Sequence, residues 1–377
     1  MPHRADVAVV GSGIVGLAFA WAAARRGRRV VVFDRDPAPR GASVRNFGTI
    51  WPIGQPPGPL RNLALLSRER WFEIGYKADV GVNPCGSLHL AHAPDEAAVL
   101  AEFAERNPGG TLLDPAETVR EFPAVNSTNL VAAFFSPTEL AVDPRQALAR
   151  IPKFLAERYG VTFHFGTAVA RVESPAVVTA AGETWHADQT FVCSGADLET
   201  LFPGEYAALG VRRCKLQMMR TRPQPDGWHL GTLLAGGLTL AHYPAFEDCP
   251  SLRALKARLA GQYPDHTRFG IHVLAAQNSL GEVMLGDSHE YDAAIEPFDK
   301  PEIDALVLDY ARTLVRLPDW AIAARWHGVY AKSPAGPIAT ATPHPGCTIV
   351  VSPGGAGMTL AFGLAEEWFE KAVGGPQ

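Results

Sequence analysis

The turn Gly11-Ser12-Gly13-Ile14-Val15-Gly16 carries glycine at its first, third and sixth positions, between an apolar run ending at Val10 and an Ala-rich stretch beginning at Leu17. That spacing suits phosphate. Gly11 permits the tight turn, Gly13 lets a pyrophosphate approach the backbone, and Gly16 lets helix and strand pack closely. Ser12, Ile14 and Val15 complete the turn, and the helix start aims its unsatisfied N–H groups at the phosphates. Asp34 closes a second apolar strand eighteen residues after Gly16, with Arg35 beside it. A carboxylate there accepts hydrogen bonds from ribose hydroxyls. Together these residues can hold the ADP part of a dinucleotide, which NAD and FAD share.

Two later runs separate those cofactors. Gly41-Ala42-Ser43-Val44-Arg45-Asn46-Phe47-Gly48 is small and polar and follows soon after the ribose-binding acid. Near the carboxyl end, Thr348 to Val351 reads as a strand, Gly354-Gly355-Ala356-Gly357 as a second glycine turn, and Met358-Thr359 as the start of a helix. A second helix N-terminus aimed at the same ligand suits a long dinucleotide whose flavin end needs its own anchor. The three segments in this order point to FAD.

The elements that position these residues are those of a βαβ opening: a strand at Val7 to Val10, a helix at Leu17 to Arg26, and a strand at Arg29 to Asp34. Helices are expected at about 58–77, 94–106, 143–159, 301–316 and 358–372. The short apolar strand Thr190 to Cys193 ends on the small turn Ser194-Gly195, as at the carboxyl edge of a parallel sheet. Between about 214 and 320 the pattern changes to alternating strands and long loops. There Gly237 to Tyr243, Ile271 to Ala275 and Glu282 to Gly286 read as antiparallel strands. This gives an α/β fold: a Rossmann-like nucleotide-binding domain (1–84, 140–213 and 322–377) with an inserted α+β, antiparallel-sheet substrate domain (85–139 and 214–321).

Composition excludes several classes. A formal charge of −5 argues against a nucleic-acid binder, and no apolar run reaches membrane length. The chain enters its first strand almost at once, so neither a secretory signal nor a membrane span is expected. The five cysteines are scattered without a C-x-x-C pair, which suits reduced thiols in the cytoplasm. The twelve histidines form no H-E-x-x-H or similar pattern, and no metal site is expected.

Over essentially its whole length the chain resembles the D-amino-acid oxidase-like (DAO) family of flavoproteins. The matching pieces are Gly11 to Gly16 with Asp34, Glu139 to Arg145, Thr167-Ala168-Val169, Cys193-Ser194-Gly195, Lys215 to Thr221, Arg325-Trp326-His327-Gly328 and the second glycine turn. The resemblance implies that Val169 holds the adenine through its backbone. It also implies that Ser43, Arg45 and Asn46 line the pyrophosphate and flavin, and that Gly355 to Thr359 hold the ribityl chain and the flavin's pyrimidine edge. Val329-Tyr330-Ala331-Lys332-Ser333 contains no cysteine, so the flavin is expected to be non-covalent. Amino-acid oxidases of the family usually carry Arg two positions after the glycine at 328, gripping a carboxylate. This chain has Tyr330 there and Lys332 two further on.

The runs Ser43 to Gly48, Trp51 to Pro56 and Gly286 to Tyr291 are similar to the branch of the family associated with aminophosphonate breakdown. The implied activity is oxidation of the C–N bond of a small amine, expected to be anionic, by hydride transfer to flavin N5 followed by imine hydrolysis. N-methyl-2-aminoethylphosphonate would give phosphonoacetaldehyde and an amine. Oxidation of glycine, sarcosine or a D-amino acid is the alternative, and a non-catalytic nucleotide-binding protein a second. The electron acceptor is open between oxygen and another carrier. Substrate-pocket candidates come from the inserted sheet and the loop after Trp326. His242 and Tyr243 end one expected strand, His272 sits on the next, and His289 ends the third. Each histidine alone reads as an ordinary structural side chain, but three on neighbouring strands make a site an even alternative. His272 stands where glycine oxidase-like relatives present a tyrosine to the substrate. Lys332, Tyr330, Arg45 and the histidines would supply donors for a phosphonate dianion.

Overall fold

The run Val30-Val31-Val32-Phe33 has no polar residue to turn toward water, and all four side chains are buried. A strand of that composition needs cover on both faces, as at the centre of a parallel sheet. In the computed structural model, which describes residues 3–292, 294–351 and 355–373, this strand lies between His3–Val10 and Thr162–His164, parallel to both. His3–Val10 continues in parallel to Thr184–Val192, which pairs in parallel with Cys347–Val351. The strands that lead into the two glycine turns therefore share one sheet, although they are far apart in sequence. Both turns open at its carboxyl edge, where open α/β sheets bind ligands.

The helix Ile14–Ala24 is buried along its whole length, because its alanines let other layers approach from every side. The helices Pro144–Tyr159 and Gly357–Val373 pack against it. Trp21 meets Phe362 edge-on at 5.5 Å. Gly357–Val373 also packs on Pro59–Lys77, and Gly363 allows the close approach: a Cβ there would run into the backbone carbonyl of Leu63 and sit 3.1 Å from the Ser67 nitrogen. Overpacking of this kind costs about 1–3 kcal/mol. Gly363→Ala should therefore lower Tm by about 1–4 °C in a calorimetric scan. An unchanged Tm would mean that the two helices are not in such close contact.

Among the described residues the second sheet has nine strands and is mostly antiparallel. Its long strand Arg212–Thr221 pairs with Ile322–Lys332 on one side and with Val283–Gly286 and Glu290–Asp292 on the other. Leu274–Gln277, Leu233–Ala235, Ser87–Ala91, Ala132–Ser136 and Thr111–Leu113 continue it.

Two sequence expectations change here. Gly237–His242 is a short helix, not a strand. Its alternation of leucines mimics a strand, but the preceding Leu233–Ala235 already fills the sheet position, and the chain then turns at the extended Gly236. The stretch after Trp326 is not a loop either: Ile322–Lys332 is a single eleven-residue strand. Placed with the nucleotide-binding domain by its sequence, it hydrogen-bonds along nearly its whole length to the second sheet. His272 lies just before its strand, exchanging backbone hydrogen bonds with Asp287, and His289 lies just before Glu290–Asp292.

Candidate functional site

Two adjoining cavities open at the carboxyl edge of the parallel sheet. The first, about 480 Å³, is lined by Gly11, Gly13, Val15, Asp34, Arg35, Val169, Ser194 and Gly195 among others. Gly11 has φ +103, and a Cβ there would collide with the Cys193 carbonyl. Gly16 does not line the cavity; a Cβ on it would run into the Gly11 carbonyl, so its role is to seat the helix against the turn. Ser12 donates to Asp34 Oδ2 from its backbone N–H at 2.7 Å, and its hydroxyl donates to the same oxygen. The Arg35 guanidinium reaches Asp197 at 2.8 Å. The Ser194 hydroxyl is committed to Tyr206 Oη and the Asp197 carbonyl.

The second cavity, about 470 Å³, shares Ala42, Ser43 and Tyr330 with the first. It is lined further by Ile14, Arg45, Asn46, His242, His272, Asp287, His289, Lys332 and Gly355 to Thr359. Ser43 Oγ accepts the Ile14 N–H at 3.0 Å, which ties the polar loop to the start of the helix. Asn46 spends its amide on the Ala42 and Ser43 carbonyls and accepts the Gly48 N–H, so it shapes the loop from within. Arg45 donates to the His327 carbonyl at 3.2 Å. The second glycine turn is anchored through Thr359 Oγ1, which accepts the Trp51 N–H at 2.9 Å, and the Met358 carbonyl, which accepts from Trp71 Nε1 at 2.7 Å. Gly354 lies outside the described residues, as do Ser352 and Pro353.

Gly328, Tyr330 and Lys332 are alternate residues of one strand, so they share a face, and all three border the second cavity. The phenol of Tyr330 lies against Gly355, 3.4 Å from where a Cβ would sit. Lys332 Nζ donates to Tyr291 Oη at 2.8 Å. His242, at the end of a short helix, and His272 and His289, each just before a strand, converge there. Their ring centroids are 4.0 Å (242–272), 4.6 Å (242–289) and 5.2 Å (272–289) apart. His289 Nδ1 faces the Gly270 carbonyl at 3.0 Å. His272 Nε2 is 3.1 Å from Asp287 Oδ1, off the line of a hydrogen bond.

Burial sets the charge state of this wall, since desolvation disfavours whichever form is charged. It pushes His289 down to about 4 and His272 well below its ordinary value. His242 is lowered by burial first and then by its histidine neighbours and Lys332. Burial raises the Asp287 carboxyl well above the usual carboxylate range. Tyr330 is raised by burial and by the neighbouring Cys214. Burial thus favours the uncharged form of each of these groups.

The FAD dependent oxidoreductase family model matches residues 6–370. The chain belongs to that FAD-dependent family. It is 27% identical to the glycine oxidase of Geobacillus kaustophilus (strain HTA426) over 211 residues, 52% of this chain and 56% of that one. The matched part spans about half the length of that relative or less in the other curated relatives. The crystal structure of glycine oxidase from Geobacillus kaustophilus superposes with a TM-score of 0.77 at 20% identity, covering 99% of this chain and 95% of that one. L-proline dehydrogenase from P. horikoshii gives 0.76 at 19%, covering 100% and 95%. At these identities the structural likeness is one of fold.

This FAD-dependent oxidoreductase has room for its cofactor where the family requires it. The two cavities adjoin at Ala42, Ser43 and Tyr330, between the two glycine turns. The backbone is bare at Gly11 and Gly13, where the helix Ile14–Ala24 begins, which fits a pyrophosphate. Gly355 to Thr359 border the second cavity, as a flavin anchor should. Tyr243 lines the wall beside His242, and Asp287 completes it without having been singled out as a site residue, because an aspartate in a G-D-S run reads as a turn. Glu139, in one of the family-like runs, is buried and accepts from the Ile53 N–H, Ser87 Oγ and Thr138 Oγ1, so it braces the loop rather than lining the site. Lys215, also in such a run, is buried against Asp299 at 2.9 Å and turned away from both cavities.

Proposed function

We propose that the protein oxidises the C–N bond of a small anionic amine, an N-substituted 2-aminoethylphosphonate such as the N-methyl form, to phosphonoacetaldehyde and the free amine. The observation that carries this reading is the strand face Gly328-Tyr330-Lys332 bordering the cavity beside Gly355. A carboxylate-gripping arginine would stand at Tyr330 by family resemblance; a phenol and a lysine suit a larger, tetrahedral anion better.

The bound flavin, held non-covalently, supplies the acceptor for a hydride from the carbon bearing nitrogen. The protein's part is position. Lys332 and Arg45 meet the anionic end electrostatically, and the Tyr330 hydroxyl offers a further donor. The uncharged histidine wall leaves these cations as the dominant field in the cavity. Holding the reacting carbon in register can lower the barrier by several kcal/mol, roughly 7–11 in the best cases. Relatives named glycine oxidase and L-proline dehydrogenase support a C–N bond as the one oxidised. Among the described residues the cysteines are all unpaired and no helix is long and apolar enough to cross a membrane. The unpaired thiols support a reducing, cytoplasmic setting.

The Geobacillus glycine oxidase match favours a second reading, oxidation of glycine, sarcosine or a D-amino acid. Steady-state kcat/KM on N-methyl-2-aminoethylphosphonate, sarcosine and D-alanine separates the two. We expect the phosphonate to lead by at least about 100-fold, the equivalent of roughly 2.7 kcal/mol. A preference for either carboxylate would overturn the phosphonate assignment.

A further inference from the structure

We propose that His242, His272 and His289 together bind one divalent transition-metal ion of the zinc class, whose open coordination position takes the anionic head of the substrate. One potential donor atom from each ring lies within 4.8 Å of the other two. A tetrahedral zinc with Zn–N of about 2.0–2.1 Å holds its donors roughly 3.3 Å apart, so the rings need to draw in by about 1.5 Å at most. Three histidines with a free fourth position is the arrangement of a zinc ion that handles substrate, not of one that only holds a fold.

Hydrogen bonding is what separates this cluster from an ordinary set of core histidines. With His289 Nδ1–H donating to the Gly270 carbonyl, the lone pair of Nε2 is left free. Metal-bound histidines are commonly fixed in this way by a backbone carbonyl behind the ring. His272 is 3% exposed, yet its Nδ1 has no hydrogen-bond partner, and neither has Asp287 Oδ1 beside it. A buried polar atom left without a partner is destabilising, so each of these atoms favours a ligand that would satisfy it. Asp287, close to His272 Nε2, stands where an outer carboxylate partner of a metal-bound imidazole belongs.

An anion alone does not suit the cluster. The Nε2 lone pair of a neutral His289 would face the oxyanion and repel it. A cation between them reverses the sign, because imidazole nitrogen and phosphonate oxygen can both bind the same ion. The ion would act as a Lewis-acid dock and take no part in electron transfer, since zinc has no redox chemistry. The metal site stands on the ring geometry, while the identity of its anionic guest rests on the phosphonate reading.

The test uses FAD-loaded, untagged protein, prepared without chelator and equilibrated with zinc, then passed through a desalting column. Elemental analysis should find about one zinc per chain, and competition with a chromophoric chelator gives the affinity. In His289→Gln and His272→Gln the affinity should fall at least about 100-fold while the flavin content stays at the wild-type level. Wild-type protein stripped by chelator should show a KM for N-methyl-2-aminoethylphosphonate raised at least about 10-fold, restored by zinc. A wild type that holds no stoichiometric zinc, or variants that bind zinc as tightly as wild type, would overturn the proposal. Bound zinc with turnover only of sarcosine would sink the phosphonate reading and leave the metal site standing. Phosphonate turnover in zinc-free protein, unaltered by added zinc, would do the reverse.

Discussion

Gly16→Ala protein should purify colourless. A Cβ at that position would run into the Gly11 carbonyl and lie 3.1 Å from Val9 Cγ1, both fixed parts of the strand and turn. The helix would have to lift away from the strand, taking its N-terminal N–H donors with it. Displacing those donors by even an ångström removes the geometry on which pyrophosphate binding depends. We expect FAD affinity to fall by at least about 100-fold, or roughly 2.7 kcal/mol. The ratio of flavin to protein absorbance after desalting reads this directly, and circular dichroism checks that the fold persists. Gly11→Ala provides an independent version, because φ +103 and the Cys193 carbonyl both oppose a side chain there. Wild-type flavin content in both variants would refute the assignment of this turn to the cofactor.

The second large effect is expected at Lys332. Its ammonium group borders the second cavity on the same strand face as Tyr330 and is held by Tyr291 Oη at 2.8 Å. Hydrogen bonds to charged groups contribute about 1.5–3 kcal/mol, so Lys332→Ala should reduce kcat/KM for the phosphonate by about 10- to 150-fold. Because the lysine grips the end of the substrate that does not react, most of the loss should appear in KM. Lys332→Arg should recover part of it, since the charge is retained with altered reach. A lysine that merely covers the surface would leave both constants unchanged.

Legibility of this molecule from its sequence follows the range of the forces involved. The turn at Gly11 to Gly16 and the strand Val30–Phe33 are set by local composition, and both stand where the sequence implies. Gly237–His242 reads as a strand because leucines alternate in it; the neighbouring Leu233–Ala235 takes the sheet position, and no local pattern announces that competition. The strand Ile322–Lys332 is masked by charged and aromatic residues, which are tolerated because that strand lies at the side of the sheet next to the cavity. The histidine cluster is the clearest case. His242, His272 and His289 share no motif spacing, and only the packing of a short helix against two strand ends brings their rings together. Asn46 borders the second cavity as its position implies, and its hydrogen bonds, which no local pattern announces, also brace its own loop.

The central claim is that an amine bound in the second cavity gives its electrons to the flavin. Anaerobic mixing of the FAD-loaded protein with N-methyl-2-aminoethylphosphonate tests it most directly. The account predicts loss of the oxidised-flavin absorbance in a single turnover, with phosphonoacetaldehyde and methylamine released in amounts equal to the flavin reduced. Flavin that stays oxidised with this compound, with sarcosine and with D-alanine alike would contradict it.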